Sequence, residues 1–186
     1  MTAQVPIYLC PSRRSPPQLG QLPEDVSTGK MGTRGDYATA ASDNTTDAVT
    51  AYDMPGATGS IITGIRQSNG QWDSRTRLTD IRDGTSNTVL VGEKHIQLGQ
   101  IAKVKGDRTI WNGDSIDVFS RFAGPGVGLV GNLNTATNQR FGSYHPGICQ
   151  FVFGDGGVRA LRVTLPETTL SLLVQRNDGQ PIPSLD

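Results

Sequence analysis

His145 and Asp155 are the first pair of side chains whose types suggest proton chemistry. One is an imidazole able to exchange a proton near neutral pH, and the other is a carboxylate able to orient it, with nine residues between them. An extended chain of that length would hold them about 30 Å apart, so they share a site only if the chain turns back between them. Otherwise His145, ahead of Pro146-Gly147, has the plainer task of fixing a turn. Oxygen donors form two further groups. Asp107, Asn112, Asp114 and Asp117 surround Trp111 and Gly113, and Asp80, Asp83, Asn87 and Glu93 flank an Asp-Gly-Thr-Ser-Asn stretch. Carboxylates, amides and loop carbonyls suit calcium, although neither group follows an EF-hand spacing. The Asp83 group also reads as a turn whose side chains cap local amides. With only His95 and His145 in the chain, a three-histidine zinc site is excluded, and a mixed histidine and carboxylate site requires both histidines to converge. Arg140, Tyr144 and His145 are the residue types of a polysaccharide lyase, but extended neighbours point to opposite faces. Trp72 and Trp111 are either sugar platforms or core residues. Nucleophile elbow, phosphate loop, His-Glu-x-x-His helix and paired Cys-x-x-Cys motifs are all missing.

The elements that must carry these groups read mainly as strands. Ile148 to Phe153 is a β-branched and aromatic run between Pro146-Gly147 and the Gly154-Asp155-Gly156-Gly157 turn, which predicts a buried strand. Val158 to Val163 alternates apolar and charged residues as the returning strand of a hairpin. Val5 to Cys10, Ser60 to Ile65 and Val89 to Glu93 also read as strands, and Asp36-Tyr37-Ala38 as the start of a strand or its turn. Ser68-Asn69-Gly70 reads as a turn, and the segments 12–30 and 42–60 as loops. Leu165 to Arg176 has Pro in its first turn, an early Glu, a late Arg and Gly179 beyond, which predicts a short helix with Leu170, Leu173 and Val174 against the sheet.

Composition fits that reading. The 23 Gly, 11 Pro and 35% apolar residues of this 186-residue chain favour a loop-rich α+β domain over a helical bundle. One domain over residues 1–186 is expected, with no repeat or second composition regime. Seventeen basic and seventeen acidic residues cancel, which removes the electrostatic footprint of a nucleic-acid binder. No apolar run approaches the roughly 20 residues of a membrane span.

Three blocks together resemble a bacterial family of prepilin-type, pseudopilin-like proteins. They are Tyr8-Leu9-Cys10-Pro11-Ser12-Arg13-Arg14, like a "CPSR" block, then Ile81 to Glu93, like an "I-x-DGTSNT-x-x-x-GE" block, and His145 to Gly156, like the His, nine residues, Asp-Gly signature. The resemblance implies an α+β, antiparallel-sheet domain that is exported to the periplasm or cell surface. The leader and long apolar helix that begin family members have no counterpart here, so the chain is expected to be their globular C-terminal portion. The resemblance also implies a stabilising calcium ion, for which Asp107, Asn112, Asp114, Asp117, Asp83 and Glu93 are the candidate ligands. In an exported domain a Cys10–Cys149 disulfide would contribute on the order of 4 kcal/mol, and such a bond is expected, although free buried Cys is common in cores. The functional expectation is secretion or pilus-type assembly, or surface adhesion, with other pseudopilin subunits or a surface polysaccharide as partner. The competing expectation is a calcium- or other metal-dependent hydrolase of a small ester or lactone, or a glycan-acting enzyme, using His145 and Asp155.

Overall fold

The computed structural model describes residues 4–15, 19–20, 32–43, 57–62, 64–110 and 116–185. Its centre is a five-stranded sheet in the order β7-β3-β6-β8-β9. The strands are β3 (Tyr37–Ser42), β6 (Val89–Glu93), β7 (Ser120–Phe122), β8 (Ile148–Phe153) and β9 (Val158–Arg162). Every neighbouring pair is antiparallel except β3 and β7, which run parallel. Two short ribbons accompany the sheet: β1 (Leu19–Gly20) with β2 (Gly32–Thr33), and β4 (Ile65–Arg66) with β5 (Trp72–Asp73).

The expected hairpin forms as read. β8 alternates half-buried and buried residues along its length, placing Cys149, Phe151 and Phe153 on one face. Val152 pairs with Val158 and Ile148 with Arg162 across the β8–β9 ladder. At the turn, Gly156 takes φ 81° and its N–H donates to the Phe153 carbonyl at 2.9 Å. After the single-turn helix α1 (Ile116–Phe119), helix α2 (Glu167–Val174) lies over β3 and β6, and the core gathers Leu170, Leu173 and Val174 with Ala40, Val89, Phe141, Cys149, Phe151, Phe153 and Leu161. Phe141 and Phe151 meet edge to face with centroids 5.1 Å apart. Gly92 is required there, because a Cβ would lie 2.4 Å from a Phe151 ring carbon.

The opposite face of the sheet carries Tyr37 opposite Glu93 and Thr39 opposite Val91. It is where the N-terminal segment docks. That segment corrects the expectation of a strand from Val5 to Cys10: Pro6–Tyr8 is a single 3-10 turn, and a second turn follows in which Arg13 and Arg14 N–H both donate to the Cys10 carbonyl, at 2.9 and 3.0 Å. Pro6 favours a first helical turn and supplies no N–H for a ladder. The expected strand from Ser60 to Ile65 is likewise reduced to Ile65–Arg66, which folds back on β5 around Ser68-Asn69-Gly70. Ile61 and Ile65 stay exposed, so no core holds a longer strand. The loop expected over 42–60 falls largely on residues outside those described. Among the described residues no helix is long and apolar enough to cross a membrane.

Candidate metal centre

Cys10, Glu93 and His145 bring one atom each from the three sequence blocks to within 4.8 Å of one another. β6 ends at Glu93, whose side chain projects from the face away from α2, since it is opposite Tyr37. The Cys10 turn closes over it, leaving Glu93 and Cys10 buried. His145 arrives from the segment before β8, where its N–H donates to Ser143 Oγ at 3.0 Å. Its side chain is the wettest of the three, 25% exposed against 2% for Glu93. His145 Nε2 lies 3.6 Å from Cys10 Sγ and 3.4 Å from Glu93 Oε1.

This arrangement is not a nucleophilic relay. In a relay the acid orients the imidazole through one ring nitrogen while the other faces the nucleophile. Here thiol and carboxylate meet the same nitrogen, and Ser12 Oγ lies 3.3 Å from the other. Burial, and then Glu93, push the Cys10 thiol above its usual pKa, the opposite of an activated nucleophile.

Behind the cluster lies a buried ionic clasp. Asp36 Oδ1 accepts from Arg13 Nη1 and Arg14 Nε, both at 2.9 Å, and from Arg14 Nη2 at 2.5 Å. Its Oδ2 accepts from the Cys10 N–H at 2.8 Å, fixing the turn that presents the thiol. Burial alone would raise the Asp36 pKa, but Arg14 and Arg13 overcome it and hold the carboxyl below its usual value. Arg14 also forks onto Asp107, Nη1 to Oδ2 at 2.9 Å and Nη2 to Oδ1 at 2.5 Å, with Arg34 Nη1 at 3.6 Å from Oδ2. Arg13 donates to the Lys94 carbonyl at 2.6 Å and packs 5.0 Å above the Tyr144 ring. Lys94 is wholly buried with its amine on the Val118 carbonyl at 3.0 Å. Desolvation, aided by Arg121, brings its pKa down to about 7, while the same burial lowers Arg121 to about 10.

The structure distributes the expected site residues over several places. His145 and Asp155 stand beyond opposite ends of β8 with different partners. Asp155 closes the hairpin turn, accepting from the Gly157 N–H at 2.8 Å and pairing with Arg159 at 2.7 Å. Its N–H donates to the Thr85 carbonyl at 3.0 Å, and Arg159 reaches the Ser86 carbonyl, so the second and third sequence blocks also interlock there. Asp83 accepts from the N–H groups of Asp178 and Gly179, at 2.7 and 2.8 Å. Asp107 is engaged by Arg14 and by the Ala102 N–H at 2.7 Å, and Asp117 Oδ1 accepts from Gln139 at 2.9 Å. Asn112 and Asp114 lie outside the described residues. Among the described residues, His95 does not join His145: its Nε2 donates to the Thr135 carbonyl at 2.8 Å.

The expected disulfide is absent, and both thiols are free and buried. Cys149 lies on the α2 side of β8 with its thiol on the Glu93 carbonyl at 3.6 Å, whereas Cys10 points to His145. Cys10, Arg13, Arg14 and Asp36 were not among the residues expected to build the site. The local signal was limited to the pair of arginines directly after Cys-Pro-Ser.

No curated protein and no solved structure matches the chain significantly. One family model does, over residues 1–167, a span holding all three blocks, the clasp and the Cys10, Glu93, His145 cluster. The chain therefore belongs to the family described as SBP_bac_10, proteins of unknown function, DUF1559.

Proposed function

We propose that this chain is an exported, pseudopilin-like domain serving secretion or pilus-type assembly, or adhesion at the cell surface. The observation that carries this reading is the use made of the three blocks that resemble the pseudopilin-like family. Block one docks beside the end of block two, where Arg13 pairs with Asp36 and donates to the carbonyl of Lys94, the residue after Glu93, and blocks two and three interlock through Thr85, Ser86, Asp155 and the nearby Arg159. Their polar groups are spent on holding one scaffold together, which suits a subunit presenting surfaces. Supporting it, the hydrolase alternative lacks a shared site for His145 and Asp155.

Partners of the same class, other pseudopilin-like subunits, fit this role better than a small ester or lactone. The test is cell fractionation of the producing bacterium with an antibody to this domain, followed by cross-linking of intact cells. Recovery outside the cytoplasm, cross-linked to filament-type subunits or surface polymer, is the expected result. Recovery in the cytoplasm alone would overturn the proposal.

A further inference from the structure

We propose that Cys10, Glu93 and His145 form a binding site for a zinc-class divalent cation, with three protein ligands and a fourth position turned toward solvent. Tetrahedral Zn2+, with bonds of about 2.3 Å to sulfur and about 2.0 to 2.1 Å to nitrogen and oxygen, sets its ligand edges at roughly 3.6 Å for S to N and roughly 3.3 Å for N to O. The corresponding separations here are 3.6 Å from Cys10 Sγ to His145 Nε2 and 3.4 Å from that nitrogen to Glu93 Oε1.

Hydrogen bonding leaves His145 Nε2 a single proton or lone pair to share between two neighbours. Nε2 carries either a lone pair or a proton, so a lone pair that accepts from the thiol also faces the carboxylate oxygen. A cation at the point where the three atoms converge satisfies all of them at once. The surroundings complete the arrangement, because ligands of a metal are held by their remaining polar atoms. Ser12 Oγ stands at His145 Nδ1, at 3.3 Å. Glu93 Oε2 accepts from the Gln150 N–H at 2.8 Å, leaving Oε1 for the ion. The Cys10 backbone is pinned to Asp36 at 2.8 Å. The ligand set selects the ion as well. A thiolate and an imidazole with one carboxylate favour zinc and its transition-metal neighbours over calcium, which takes six to eight oxygens.

The site goes beyond the assembly role and stands independently of it. The test uses the purified chain, stripped with chelator, and then titrated with Zn2+ by calorimetry and with Co2+ by absorption. One Zn2+ per chain and a thiolate-to-cobalt charge-transfer band are expected, and Ca2+ in excess displaces neither. Cys10→Ser abolishes the band, and both Cys10→Ser and His145→Ala weaken Zn2+ binding at least tenfold. Because His145 is partly exposed, His145→Ala keeps the fold, which circular dichroism of the stripped variant verifies. Unchanged zinc affinity in His145→Ala, a cobalt spectrum without thiolate character, or no binding to the wild-type chain would each overturn the site.

Discussion

Asp107→Asn is the substitution that most directly separates the ionic clasp from a calcium loop. Asp107 is fully buried and takes two bonds from Arg14, at 2.9 and 2.5 Å, one from the Ala102 N–H at 2.7 Å, and the charge of Arg34 at 3.6 Å. The amide keeps the shape but removes the anion and turns an NH2 group toward a guanidinium. Removing one partner from a buried pair leaves an uncompensated charge and costs about 3 to 5 kcal/mol. In a chain of this size each kcal/mol moves the melting temperature by about 2 to 4 °C, so a fall of about 6 to 20 °C is expected. Asp155→Asn is the control: its pair with Arg159 is 31% and 38% exposed, and such surface pairs contribute less than about 1 kcal/mol. Both variants are melted beside wild type, with and without chelator, following far-UV circular dichroism. The clasp predicts a large loss for Asp107→Asn that persists between variant and wild type when both are stripped with chelator. Melting within about 2 °C of wild type, or a loss that disappears once both proteins are stripped with chelator, would refute the reasoning.

Phe151→Ala, at a position 1% exposed in the core, should cost about 3 to 5 kcal/mol in urea unfolding. Gly92→Ala places a Cβ 2.4 Å from the Phe151 ring and should cost about 1 to 3 kcal/mol by the same assay, with Phe151→Leu partly rescuing it. Thiol titration of unreduced, chelator-treated protein should find two thiols under denaturant and almost none in the native state, since both are buried and free; a count of zero under denaturant would restore the disulfide.

The parts of the fold legible in sequence are those whose stabilising contacts are local. The β8–β9 hairpin was readable because Ile148 to Phe153 is apolar throughout, Val158 to Arg162 alternates, and Gly156 sits where a positive φ is needed. Helix α2 was readable from Pro166 and Glu167 at its start. The N-terminal segment was not, because Arg13 and Arg14 find their partners 22 to 129 residues away and nothing near them in sequence names Asp36, Lys94 or Gly142. Asp107 read as a metal oxygen for the same reason, its arginine lying 93 residues off. Glu93 and His145 each carry a signal in the sequence, but for separate sites. Cys10 was assigned to a bond with Cys149, since strand alternation that directs Cys149 toward α2 says nothing of where a turn aims Cys10.

The clasp also bears on how the molecule opens. A contact between residues far apart in the chain must overcome loop-closure entropy before it is made, whereas the β8–β9 hairpin closes across a single tight turn. The Cys10–Arg14 turn bonds to Asp36, Lys94, Gly142 and Asp107 at once, so its full set of contacts requires the sheet that holds these residues together. Native-state hydrogen exchange should therefore show the amides of Arg13 and Arg14, both bonded to the Cys10 carbonyl, opening at lower free energy than those of β8. Opening in that order would make this set of buried ion pairs the latch of the molecule rather than a permanent fixture.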